Sequence, residues 1–260
     1  MAILQRKTIG NPRIQKLRKM QKPTYKELLD AGVHFGHMKK KWNPKMLSYI
    51  FMEQKGIHII DLNRTLECME DAGKALKAIA RSGKKILFVA TKKQSREIIS
   101  EAAKSVNMPY VTERWLGGMM TNFATIRKSV KKMQSIEKML SDEGTNITKK
   151  ERLMLSRKKD KLEKVIGGIS QLNRIPSAMF LVDIHHEHIA VAEAKKLGIK
   201  TFAMVDTNSD PTKVDFAIPA NDDASKSIAI VTQYIVECVK AGLDERKSNK
   251  SQKEAAAKKK

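Results

Sequence analysis

The sequence is poor in several features, and each shortage argues against a class of protein. Only two cysteines occur, Cys68 and Cys238, and they form neither a CxxC pair nor a zinc-ligand spacing. We interpret them as small buried hydrophobic residues, which suits a reducing compartment. No apolar run approaches the roughly 20 residues that a helix needs to cross a bilayer. The N-terminus also lacks the apolar segment of a secretory signal peptide.

Motifs for phosphate binding and nucleophilic catalysis are missing as well. There is no GxxxxGK[ST] loop and no GxGxxG after a strand. Gly117-Gly118 follows Trp115 in a predicted turn, and Gly167-Gly168 lies inside a helical pattern, so neither pair begins a helix as a phosphate site requires. We therefore predict a protein that is not an enzyme and uses no cofactor. The alternative is a nucleotide- or metal-binding module, or an enzyme, acting at the carboxyl end of the predicted sheet.

Positive charge, in contrast, is abundant and unevenly placed. The chain has 51 Lys and Arg against 28 Asp and Glu, a net charge of +23. Residues 1–26 carry +8, residues 127–164 carry +7 and residues 240–260 carry +5, which leaves +3 for the other 175 residues. A compact domain of this charge repels itself unless a polyanion neutralises it. Nucleic acid is the favoured partner, and an anionic membrane surface or simple solubility are the alternatives.

Short apolar strands alternate with helices along most of the chain. This alternation predicts an α/β fold with a doubly wound, mostly parallel sheet, built as a discontinuous domain from residues 25–122 and 175–243. A basic flexible N-terminal arm (1–24) and a Lys-rich disordered tail (244–260) flank this domain. Strands are predicted over 57–60, 85–90, 109–111, 178–182, 201–205 and 216–218. Helices are predicted over 63–81, 93–105, 187–197 and 222–241.

Residues 123–174 interrupt that alternation. Apolar residues recur there at three- and four-residue steps in two stretches, and Thr148 with Glu151 forms a T-x-x-E capping box between them. We predict an inserted antiparallel coiled-coil hairpin of two helices, each about 30 Å long. Such a cationic hairpin can reach into a groove of folded RNA. A solvated coiled coil without a partner is the alternative.

Candidate RNA contacts lie in predicted loops, among them residues 34–45, and on the hairpin. Cations bind phosphate, and aromatic rings stack on exposed bases. For Trp42 and Trp115, packing in the core is an equally good interpretation. The candidates are His34, His37, Lys39, Lys40, Lys41, Trp42, Lys45, Lys92, Lys93, Gln94, Arg114, Trp115, Asn122, Arg127, Lys131, Lys132, Lys158 and Lys159.

A metal site is only weakly indicated. Asp183, His186 and Asp206 follow two predicted strands and should gather at the carboxyl end of the sheet, where ligand sites of α/β folds lie. They are weak candidates for holding a divalent ion. The alternative is that they are polar loop residues, with Asp183 capping a helix, so no firm metal site is predicted.

Eight stretches resemble the bacterial-type small-subunit ribosomal protein number two (S-two), a universal family. They occur in the family's order and cover most of residues 25–242, which makes coincidence negligible. The stretches are LLDAGVHFGH (28–37), KWNPKM (41–46), GIHIIDL (56–62), ILFVATKKQ (86–94), RWLGGMMTNFATIRKS (114–129), EHIAVAEAKKLGI (187–199), MVDTNSDP (204–211) and IPANDDASKSI (218–228).

The resemblance implies a flavodoxin-like sheet with a projecting coiled-coil hairpin. It implies a structural constituent of the small ribosomal subunit that binds its ribosomal RNA near the head–body junction and supports translation. Expected partners include neighbouring small-subunit proteins, among them the mRNA-binding protein S-one, with no membrane and no homo-oligomer. Ribosomes of the cytoplasm are favoured over organellar ones. The N-terminal arm is longer than is usual in the family, which suggests an additional RNA or protein contact.

Overall fold

A computed structural model describes residues 22–142 and 148–257, so the predicted N-terminal arm lies almost entirely outside the described residues. No helix within these ranges is both long and apolar enough to span a lipid bilayer. The helices are α1 (Tyr25–Asp30), α2 (Leu62–Arg81), α3 (Arg96–Ser105), α4 (Phe123–Ser141), α5 (Lys149–Ile166), α6 (His188–Leu197) and α7 (Ser225–Ala257). The strands are β1 (Phe35–Met38), β2 (Ile50–Gln54), β3 (Ile57–Ile60), β4 (Ile86–Val89), β5 (Tyr110–Val111), β6 (Ala178–Val182), β7 (Lys200–Val205) and β8 (Phe216–Pro219).

Five strands form the central sheet in the order β5-β4-β6-β7-β8, and every neighbouring pair is parallel. Every residue of β4 and β6 is buried, as expected for strands covered by helices on both faces. The chain reverses its direction of winding between β4 and β6, which is the flavodoxin-like order. The predicted α/β fold with a parallel, doubly wound sheet is therefore confirmed.

Alternate side chains of these strands enter two separate cores. Phe88, Phe180 and Phe202 pack with α2, α3 and α7 on one face. Leu87 and Leu181, each adjacent in sequence to one of these phenylalanines, pack with α4, α5 and α6 on the other face. The two-residue period of a strand thus divides one apolar run between two helical layers.

A second, three-stranded antiparallel sheet has the order β1-β3-β2. Sequence reasoning found only β3 and interpreted residues 34–45 as a loop, so β1 and β2 were missed. The turn between β2 and β3 consists of Lys55 (φ 52°) and Gly56 (φ 77°). Two positive φ values match a two-residue hairpin turn, but lysine is an unusual first residue for that turn, which hid the hairpin.

In the insertion, α4 and α5 pack against each other, and Lys159 Nζ lies 2.8 Å from a carboxylate oxygen of Glu137. The predicted capping box is present at the start of α5. The interpretation of Gly167-Gly168 as mid-helix was wrong, because α5 ends at Ile166 and a 3₁₀ turn follows over Gly167–Ile169. The backbone of Gly168 packs directly on Tyr110 of β5, and a Cβ at this position would collide with the Tyr110 carbonyl. The coiled-coil geometry stays a prediction.

The C-terminal helix is longer than predicted. It continues to Ala257, so the disordered tail predicted for 244–260 was wrong for residues 244–257. Two contacts extend it along α2: Gly242 packs on the Lys77 carbonyl, and Lys77 Nζ lies 2.6 Å from Glu245. The following residues are mostly good helix formers, so charge alone was a poor guide to disorder there.

Candidate nucleic-acid interface

The carboxyl end of the parallel sheet is organised around Lys92, which follows β4. Its Nζ lies 2.7 Å from Asp183 after β6, and 2.8 Å from both Asp222 and Asp223 after β8. Burial disfavours the charged ammonium, but the attraction of Asp222 and the hydrogen bonds to all three carboxylates outweigh burial and raise the pKa of Lys92. Because its charge is already neutralised, Lys92 is unsuited to the phosphate contact predicted for it. Lys93 and Gln94, the next two residues, are exposed.

A second group of side chains meets beside this one. His37 Nδ1 lies 3.0 Å from Asp206 Oδ2, and one potential ligand atom each of His37, Asp206 and Asp222 lies within 4.8 Å of the other two. Asp222 is fully buried, and its Oδ2 has no hydrogen-bond partner among the described residues. Burial, together with the charges of Asp183 and Asp206, raises the pKa of Asp222 to about 7. The hydrogen bond with Asp206 raises the pKa of His37 despite its partial burial.

The weak metal candidates lie at the carboxyl end of the sheet, as predicted, but they do not form one group of potential ligands among the described residues. Asp183 pairs with Lys92, and its Oδ1 accepts hydrogen bonds from the backbone N–H groups of His185 and His186. Asp183 therefore matches the alternative of a polar loop residue, with a left-handed φ of 65°, but the predicted capping role was wrong, because the N-cap position of α6 is Glu187. The His186 ring lies 2.9 Å from Thr91 Oγ1. Of the three predicted candidates, only Asp206 belongs to the group of potential metal ligands, which it forms with His37 and Asp222.

The predicted 34–45 loop divides into exposed and internal positions. Lys39, Lys40, Lys41 and Lys45 are exposed, but Lys39 pairs with Glu53 at 2.7 Å and Lys45 pairs with Asp210 at 2.7 Å. Trp42 is half-buried with its ring centroid 5.1 Å from that of His58. His34 is also half-buried, and burial lowers its pKa. Lys40 and Lys41 are thus the loop's exposed cations without an acidic partner in the described part of the chain.

Glu193 of α6 holds the turn that leads into α4. Its carboxylate accepts hydrogen bonds from the Trp115 indole N–H and from the backbone N–H groups of Gly118, Met120 and Thr121, at 2.7–3.1 Å. Burial favours the neutral acid, but these bonds outweigh it and lower the pKa of Glu193. Trp115 is only 7% exposed, so it packs in the core and offers no ring face for stacking on a base.

Other candidates near this turn have different roles. Arg114 and Asn122 are exposed. Arg127 donates to the carbonyls of Ser170 and Leu172 at 3.3 and 3.0 Å, so it joins the start of α4 to the segment after α5.

On the helices of the insertion, three of the four lysines predicted to contact RNA have exposed side chains. Lys131, Lys132 and Lys158 are exposed, whereas Lys159 forms the ion pair with Glu137. Sequence reasoning missed Glu193, for which no signal exists in a single sequence. The helix predicted over 222–241 also placed Asp222 and Asp223 in its first turn, although both precede α7 and follow the end of β8.

An exposed apolar surface lies on the antiparallel sheet and the segment next to it. Phe35 is 48% exposed, Leu47 66% and Phe51 71%. Met38 and Met52 lie on the same strands and are about half exposed. Several large apolar side chains exposed on one small sheet and its neighbouring segment favour a protein–protein contact.

Comparisons with known proteins agree on one family. A family model described as "Ribosomal protein S2" matches residues 28–242. The chain is 65% identical over 231 residues to a protein of Cytophaga hutchinsonii named small ribosomal subunit protein uS2, covering 88% of this chain and 91% of the relative. Proteins with the same name are 56% identical in Bacteroides thetaiotaomicron (91% and 86% covered) and 60% identical in Christiangramia forsetii (86% and 75% covered).

Proposed function

Because this chain belongs to the ribosomal protein S2 family, we propose that its exposed cationic side chains bind the RNA of the small ribosomal subunit. As a member of the family it is a structural constituent of that subunit in ribosomes of the cytoplasm, and it is not an enzyme. The alternative of an enzyme on the doubly wound sheet is therefore set aside.

The RNA contacts are proposed for the cations that remain exposed. One group lies on the insertion, where Lys131, Lys132 and Lys158 project from α4 and α5. A second group surrounds the carboxyl end of the sheet: Lys40, Lys41, Lys93 and Arg114. Phosphate contacts position a protein on folded RNA and make its affinity depend on salt. The observation that carries the proposal is this exposure, since the half-buried candidates Lys92, Arg127 and Lys159 already have protein partners.

Rebinding to small subunits that lack the protein tests the proposal. The variant Lys131→Ala/Lys132→Ala/Lys158→Ala should bind more weakly, and the slope of log affinity against log salt should fall by about 1 for each phosphate that the variant no longer neutralises. The control Lys195→Ala/Lys196→Ala/Lys226→Ala removes the same charge from exposed positions on α6 and α7. Unchanged binding by the first variant would exclude the insertion as an RNA contact.

For a protein partner, we propose that the exposed apolar surface of Phe35, Leu47 and Phe51 contacts a neighbouring small-subunit protein. The mRNA-binding protein S-one is the candidate that the family resemblance supplies. Phe51→Ser should weaken capture of S-one by subunits carrying the variant, while rebinding of the variant itself should be unaffected. Equal capture would exclude this surface.

We also propose that a divalent cation binds between His37, Asp206 and Asp222. The buried, unpartnered Oδ2 of Asp222 supports this, and mixed imidazole and carboxylate ligands favour Zn²⁺ over Mg²⁺. Calorimetric titration with Zn²⁺ should show saturable binding that Asp222→Asn abolishes and that Asp71→Asn, which removes an exposed carboxylate of α2, leaves intact. Equal heats for both variants would refute the site.

A further inference from the structure

The amino-terminal end of the parallel sheet carries a groove that differs in charge from the carboxyl end. It lies between the α3–β5 turn, the start of β4 and the second half of α7, with a volume of about 690 Å³. Five cationic side chains and a single acid, Asp244, line it. The cations are Lys85, Lys240, Arg246, Lys247 and Lys250.

Separate elements of the fold hold these cations in place. Lys85 immediately precedes β4, and its Nζ donates a hydrogen bond to the Asn107 carbonyl at 2.8 Å. The Arg246 guanidinium packs on the backbone of Gly83, which has a φ of +77° and leaves no room for a Cβ. Lys85 and Arg246 are therefore positioned by contacts with the folded body.

Along α7 the cations recur on the side that lines the groove. Lys240 and Lys247 are two helical turns apart, and Lys250 extends the row to a length of about 15 Å. A neighbouring cleft of about 280 Å³, lined by Lys85 and Lys104, continues the basic surface. At the opposite end of the sheet, by comparison, three aspartates surround the single cation Lys92, whereas the one acid of the groove, Asp244, lies 3.5 Å from Lys247.

We propose that this groove binds the phosphate backbone of RNA, as a contact separate from those on the insertion and at the carboxyl end. Several like charges held in one groove are stabilised best by a polyanion, which supplies closely spaced negative charges along its length. That the RNA is ribosomal rests on the function proposed above. An acidic segment of a neighbouring protein is the competing occupant.

The test compares two variants with equal loss of charge. Lys104→Gln/Lys240→Gln/Arg246→Gln removes two groove cations and Lys104 of the adjoining cleft, and Lys195→Gln/Lys196→Gln/Lys226→Gln removes three exposed cations elsewhere on the body. Both full-length proteins are rebound to small subunits lacking the protein over a range of salt. The groove variant should lose about tenfold or more in affinity and about 2–3 in salt slope relative to the control.

Two other results of the rebinding assay would overturn the proposal. Equal losses in both variants would show a net-charge effect and overturn the proposal, as would wild-type binding by the groove variant. The Lys131/Lys132/Lys158 variant measured alongside tests the proposed function separately. If the triple groove variant unfolds, Lys240→Gln alone, at an exposed position, replaces it. Photocrosslinking from position 240 should reach RNA, and crosslinks only to a protein would overturn the proposal.

Discussion

At the residue scale, two charged side chains are held inside the body and determine what their neighbours can do. Lys92 joins three aspartates, which leaves Lys93 as the exposed cation after β4. Glu193 fixes the turn between β5 and α4, which leaves Arg114 and Asn122 on the surface. In both segments, the charged side chain that holds the backbone in place is therefore not the one that is proposed to contact RNA.

Replacing the anchor and its neighbour should separate stability from binding. Lys92→Met should lower the free energy of unfolding by about 3–5 kcal/mol, because it leaves partly or fully buried carboxylates without their counter-charge. Lys93→Met should leave stability almost unchanged and weaken RNA binding instead. Urea unfolding in the presence of a chelator, paired with rebinding assays, distinguishes the two effects. Equal stabilities would contradict the structural role of Lys92.

The Glu193 carboxylate should make stability depend on pH. Its pKa is lowered in the folded protein from an ordinary value of 4.5, so its stabilising effect is fully present above that value and is lost as the pH falls through the folded pKa. Glu193→Gln should cost about 1–3 kcal/mol for each donor left unpaired at neutral pH. The difference between wild type and variant should shrink in acid. A difference that is independent of pH would contradict this account.

At the element scale, the end of α5 depends on the lack of a side chain at one position. A Cβ at Gly168 would collide with the carbonyl and ring of Tyr110 in β5, whereas a Cβ at Gly167 would meet only the flexible Glu163 side chain. Gly168→Ala should therefore destabilise the junction between the insertion and the sheet by about 1–3 kcal/mol, and Gly167→Ala should be nearly neutral. Thermal unfolding of both variants measures this, and similar midpoints would contradict it.

Elements with a strong local signal could be predicted from the sequence. The buried strands β4, β6 and β7 are continuous apolar runs, and the capping box marks the start of α5. Elements that depend on partners distant in sequence could not be predicted from it. The strands β1 and β2 are short and mostly exposed, so no periodicity distinguished them from a loop. The end of α7 is helical partly because α2 lies beside it, a contact that composition does not reveal.

The candidate site shows the same division. The positions of Asp183, Lys92 and Asp206 directly after predicted strands placed them correctly at the carboxyl end of the sheet, because parallel strands end together. Which of these side chains pair with each other depends on distances of a few ångströms. Lys92 consequently changed from an RNA candidate to an internal counter-charge, and Trp115 proved to be a core residue.

At the scale of the whole molecule, a net charge of +23 should make salt act in opposite directions on folding and on binding. Raising the ionic strength from about 0.01 M to about 0.15 M shortens the screening length from about 30 Å to about 8 Å and weakens self-repulsion. The thermal midpoint of the free protein should rise while its affinity for RNA falls. Calorimetric scans and rebinding at matched salt concentrations test this, and parallel trends would contradict it.

The ammonium of Lys92 also links the ends of three strands that are far apart in the chain. Opening β4, β6 or β8 at that edge would separate a desolvated cation from at least one of its counter-ions. We therefore expect the three strand ends to open together and not one at a time. In hydrogen–deuterium exchange, the amides at these ends should share a common protection, higher than their position at the edge of the sheet alone would give.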